Sequence, residues 1–170
     1  MENLVAVQGD TKIEEFINFL ILLKVCMNSE LQQKIDEISS YILGYEDVVR
    51  SIVTKVYENG CCINTWNKKI SLHNWEPESS CIIWLGIDKV DTKHMMWDLL
   101  HEFGHHLDGR KSADYKDNDF IEQMREINAW KNADQEFSLY SILQKDYENY
   151  LDYKTKCLKT YNLTLEDLND

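Results

Sequence analysis

His101-Glu102-Phe103-Gly104-His105 is the stretch of this chain in which residue type and spacing together could do chemistry. Two imidazoles four residues apart fall on one face of a helix and can share a metal ion. Glu102 then flanks the pair, where its carboxylate can hold and deprotonate a metal-bound water instead of occupying the coordination sphere. The chemistry served by such a constellation is hydrolysis by a zinc-activated water.

The pattern is short, so the surrounding residues must make a helix to carry it. Asp91 and Thr92 offer N-caps and Gly109 a C-cap, so Lys93 to Asp108 reads as one helix with the motif in its second half. Projected at helical spacing, Met96, Leu100, Phe103 and Leu107 form an apolar stripe that Met95, Trp97 and Leu99 widen. His94, Asp98, His101, His105 and Asp108 lie opposite. A helix apolar over most of its circumference is buried, and its histidines and carboxylates then need partners against the cost of desolvation. A metal in a cleft is such a partner, and Asp98 or Asp108 could orient a ligand ring by accepting its second proton. His106 falls on the flank near Met95 and Leu99 and reads as a packed residue.

A catalytic zinc site has three protein ligands and an open position. The version that continues with a glycine and a third histidine is excluded, because those positions hold Asp108 and Lys111. A glutamate on a following helix is the other solution. Asp119 to Phe137 has Phe120, Met124, Ile127 and Trp130 at helical spacing, and Glu122, Glu126, Ala129 and Ala133 on another face. Glu122 and Glu126 compete for the role. Asp119-Phe120-Ile121-Glu122 has the form of a capping box, which employs Glu122 structurally. Glu126 is favoured, because Ala129 and Ala133 on its own face would let this helix approach the metal helix closely.

Leu99 to Leu107, followed by Glu126-Ile127-Asn128-Ala129-Trp130-Lys131-Asn132-Ala133, resembles the gluzincin-type metallopeptidases and most closely the ImmA/IrrE-like group, small and mainly intracellular bacterial and phage proteins. The resemblance covers roughly residues 81–137. It implies a zincin-like α+β fold, a bound Zn2+ held by His101, His105 and Glu126, and Glu102 as general base in cleavage of a protein or peptide. No helix-turn-helix segment accompanies the motif. A catalytically silent zincin-fold binding module and an effector or toxin peptidase are the alternative readings.

The 170 residues fit one domain with a real core, and the formal charge of −12 argues against nucleic-acid and anionic-membrane partners, which it would repel. Cys26, Cys61, Cys62, Cys81 and Cys157 make an odd count without a CxxC pair, so reduced, mostly buried thiols are expected, with neither a disulfide framework nor a zinc knuckle. Cys61 and Cys62, adjacent in a strand, should point to opposite faces. The apolar run Phe16 to Val25 follows acidic residues and is too short to span a bilayer, which leads to an expected cytoplasmic location.

Elsewhere the pattern predicts helices at Thr11 to Val25, Ser29 to Leu43 and Glu46 to Glu58, and strands at Cys61 to Trp66 and Lys69 to His73 joined by a hairpin at Asn67-Lys68. A third strand, Cys81 to Ile87, leads into the metal helix, and it or a neighbouring strand is the candidate to border the cleft and pair with extended substrate. Ser138 to Tyr161 reads as a further helix whose aromatic face packs on the N-terminal helices. His73, His94 and Tyr115 are candidate oxyanion donors. The fold class expected is therefore a mainly helical α+β zincin-like domain with a small sheet of three or more strands.

Overall fold

Val48, Val49, Ile52, Val53 and Val56 recur at helical spacing, and all five are buried on one side of α2 (Glu46–Glu58). The structure, a computed structural model, describes residues 17, 29–74, 81–89, 91–108 and 119–169. The expected helix at Thr11 to Val25 lies almost entirely outside the described residues. Helix α1 covers residues 29–41 and buries Ile35 and Ile38 against the same core.

The sheet has three strands, β1 (Cys61–Trp66), β2 (Leu72–Asn74) and β3 (Cys81–Gly86), in the order β1-β3-β2. β3 runs parallel to β1, with Cys61 opposite Cys81 and Ile63 opposite Ile83, and antiparallel to β2, with His73 opposite Ile83. The hairpin expected at Asn67-Lys68 is therefore absent: β1 and β2 occupy opposite edges. The second strand also starts three residues later than expected. Gly86 shows why, because a Cβ there would stand 2.4 Å from the Ile70 carbonyl oxygen and 2.6 Å from that of Lys68. The chain from 68 to 70 crosses over the end of β3, and only beyond it can β2 pair.

β3 leads into α3 (Lys93–Asp108), whose first turn is tied by Lys93 N–H donating to Asp91 Oδ1 at 2.9 Å, as the sequence suggested for Asp91. Gly109 falls outside the described residues. Met95, Met96, Trp97, Leu99, Leu100 and Phe103 are buried, but Leu107 is exposed, since the helix runs out of the core before its last turn. α3 packs along α4 (Asp119–Ser138). Gly104 makes the closeness possible: a Cβ there would lie 2.1 Å from the Ala129 carbonyl oxygen. Asn132 Nδ2 bonds the Gly104 carbonyl at 3.0 Å across the same seam. Phe120, placed by its spacing on the apolar face, is exposed because this first turn extends beyond the core.

The segment expected as one helix from Ser138 to Tyr161 is broken. α4 ends at Ser138, a 3-10 turn covers Ser141–Asp146, and α5 covers Tyr147–Thr160, followed by a short 3-10 turn at Glu166–Leu168. α5 packs on the metal helix rather than chiefly on the N-terminal helices. Its Tyr150 stacks on Phe137 at 4.4 Å, meets Trp97 edge-on at 5.3 Å, and donates to Asp134 at 2.8 Å. The result is a mainly helical α+β arrangement of zincin type with a small sheet. Among the described residues, no helix is long and apolar enough to cross a membrane.

Candidate metal centre

Helical spacing places His101 and His105 one turn apart on α3, and the close crossing at Gly104 brings α4 near enough for Glu126 to reach both. His105 Nε2 stands 3.1 Å from Glu126 Oε1 and His101 Nε2 3.2 Å from Oε2. Ligand atoms at tetrahedral angles on one zinc, each at about 2.0–2.1 Å, are themselves roughly 3.3 Å apart, so the separations fit a shared ion. Glu122, the rival glutamate, is exposed one turn earlier, and Asp119 is already helical rather than a cap residue.

Two of the three donors are buried, His105 at 4% and Glu126 at 2% exposed, too little for water to satisfy them, while His101 is partly exposed to the cleft. Burial acts to raise the Glu126 carboxyl, yet the His105 and His101 imidazoles hold it well below the usual carboxylate range. Burial acts to lower His101, but its bond to Glu126 and the surrounding carboxylates raise it overall. His105 is pushed down to about 4 by burial and by the neighbouring His101. Without a metal, the set therefore favours a proton on the His101 side of the cluster and disfavours one on His105. A divalent cation fits this set better than a single proton does, since it satisfies all three donors at once.

Neither His101 Nδ1 nor His105 Nδ1 has a hydrogen-bond partner among the described residues. The expected orientation of a ring by Asp98 or Asp108 is not found. Asp98 instead takes Lys89 Nζ at 2.6 Å together with the hydroxyls of Tyr153 and Ser71, and Asp108 Oδ1 accepts from Asn128 at 2.9 Å. Packing does the orienting. Trp130 stacks on the His101 ring at 4.2 Å with 26° between the planes, while His105 meets that ring edge-on at 4.5 Å.

Glu102 is 5% exposed and lines a cleft of about 360 Å³ together with Ser71, Asp98, His101, Tyr153 and Tyr161. Burial pushes its carboxyl up to about 8, with His101 working the other way and Asp98 and Glu126 adding to the rise. A carboxyl in this range, beside the ion site yet outside it, is suited to taking and returning a proton near neutrality.

No protein-family model, curated protein or solved structure matches this chain. The geometry alone therefore supports a zincin-type metal site, without placing the chain in a particular family.

The oxyanion candidates named from sequence are not gathered here. His73 packs near Cys81, the His94 ring lies tilted against Tyr153 at 4.5 Å, and Tyr115 lies outside the described residues. Tyr161 is one of the cleft hydroxyls, and sequence reasoning treated it only as part of an aromatic face. Burial and the nearby Glu126 and Glu102 raise its phenol, which keeps it a donor. Spacing holds no signal for this, because Tyr161 reaches the cleft only through the packing of α5 on α3.

A second departure concerns the cysteines. Cys61 and Cys81 were expected as reduced thiols, yet their sulfurs are bonded at 2.11 Å. The parallel pairing that sets these residues opposite each other across 20 positions of sequence is the cause. Cys61 is buried while its neighbour Cys62 is exposed, as strand alternation requires.

Proposed function

We propose that this protein is a zinc-dependent peptidase that hydrolyses a peptide bond in a protein or peptide substrate. The observation that carries the reading is the convergence of His101, His105 and Glu126 on one point beside the cleft-lining carboxyl of Glu102. Zinc held there would supply Lewis-acid chemistry, activating a water for attack and polarising the scissile carbonyl.

His101, His105 and Glu126 would hold the ion, with Trp130 fixing the His101 ring. Glu102 accepts a proton from the attacking water and returns it to the leaving amine. Tyr161 donates its hydroxyl to the oxygen on which negative charge develops. β3 is the central strand, so of the two candidates the substrate-pairing role falls to the neighbouring edge strand β2 and the chain leading into it, where Ile70 and Ser71 line the cleft. The similarity of the two helical motifs to the gluzincin-type, ImmA/IrrE-like peptidases supports the same assignment, and the expected cytoplasmic location accords with that group.

The test is turnover of a diverse peptide library by the zinc-loaded chain. Cleavage that disappears on chelation and returns with zinc is expected; a loaded chain that cleaves nothing would favour a binding module.

A further inference from the structure

Beside the first cluster, each strand and the metal helix send one more ligand-type side chain to a common point. Cys61 from β1, His73 from β2, Cys81 from β3 and His106 from α3 have their donor atoms all within 4.8 Å of one another. His73 Nε2 and His106 Nδ1 each stand 3.2 Å from Cys81 Sγ. Strand alternation explains the convergence, since Cys61, His73 and Cys81 all lie on the buried face of the sheet, 1%, 5% and 5% exposed, toward α3. A disulfide sulfur is a weak acceptor, a poor reason for two imidazole nitrogens to aim at one of them. Two thiolates and two imidazoles make, by contrast, a complete tetrahedral set for zinc.

We propose that Cys61, His73, Cys81 and His106 form a second zinc site, occupied when the two cysteines are reduced. All four positions are filled by protein, so its role is structural: it pins the three strands to the metal helix, with His106 bound directly after the first-site ligand His105. His73 binds through Nε2, with the ring proton on Nδ1. Without the ion His73 Nδ1 accepts from Arg125 at 3.5 Å; zinc binding gives up that contact, and Arg125 keeps its bond to the His73 carbonyl at 3.4 Å.

The disulfide and the metal are alternative states of one sulfur pair. Two equivalents of a small thiol reduce the Cys61–Cys81 bond and leave as their own disulfide. The two cysteine thiols then release two protons as the divalent ion binds.

The direct test loads the full-length chain with Co2+ after reduction by excess thiol. The reduced wild type should take up two ions per chain and show a sulfur-to-cobalt charge-transfer band. His101→Ala/His105→Ala should lose one ion and keep the band, whether or not the first site is catalytic. Cys81→Ser should lose the band. Should that variant fail to fold, maleimide labelling of the reduced wild type decides: zinc should protect Cys61 and Cys81 but leave the exposed Cys62 reactive. A reduced wild type with no charge-transfer band, or with Cys61 and Cys81 labelled equally with and without zinc, would overturn the proposal.

Discussion

Glu102 and His105 titrate in opposite senses, and the pH dependence of the metal-free chain follows from their balance. Glu102 is raised from 4.5 to about 8, so the folded chain keeps a proton that the unfolded chain has released. Its contribution to stability is whole below pH 4.5 and is lost as pH rises through 8. His105, lowered from 6.5 to about 4, acts the other way: its contribution is present above pH 6.5 and lost as pH falls through 4. Below 6.5 the two oppose each other; above it Glu102 acts with the raised His101. The Tm of the metal-free protein should therefore fall between pH 6.5 and 8, and Glu102→Gln should make that slope shallower in scanning calorimetry. Glu126→Ala should strip the bound zinc in elemental analysis, whereas Glu122→Ala, at an exposed position, should retain it. Tyr161→Phe should lower kcat by roughly 10² with zinc content unchanged, the usual scale for one lost oxyanion donor; an unchanged kcat would remove Tyr161 from the reaction.

At the scale of elements, the site depends on how closely α3 and α4 cross. Gly104→Ala would drive a methyl into the Ala129 carbonyl, which is backbone and cannot swing aside. The expected cost is roughly 1–3 kcal/mol in urea unfolding, together with weaker zinc binding as Glu126 is pushed away from the histidines. Both helices were legible in the sequence because their apolar residues recur at helical spacing, and the small residues Ala129 and Ala133 already pointed to a close approach. The strand order was not, since which strand takes the middle of a sheet is a long-range choice that alternation within a strand cannot express. The Cys61–Cys81 pairing was hidden for the same reason. His106 looked like a packed residue because its partners come from the sheet, and Trp130 looked like core because stacking on His101 requires two helices already in register.

Across the whole molecule, the formal charge of −12 would favour basic substrates, and of the lysines lining the cleft Lys156 is paired with Asp152 at 2.6 Å. Lys89 is itself neutralised by Asp98. The bound ion should also matter globally, because it satisfies three donors, two of them buried, from two packed helices. Chelation should lower the Tm, and the loss should grow with the zinc concentration of the reference sample, since ligand binding to the folded state stabilises it by mass action.

The central claim, that the ion site is catalytic, is tested most directly by comparing the wild type with Glu102→Gln for zinc content and peptide cleavage side by side. The substitution keeps the size of the side chain but cannot accept the water's proton. Zinc content and folding should persist while cleavage falls by roughly 10² or more. Equal cleavage by the two proteins, at equal zinc content, would contradict the account.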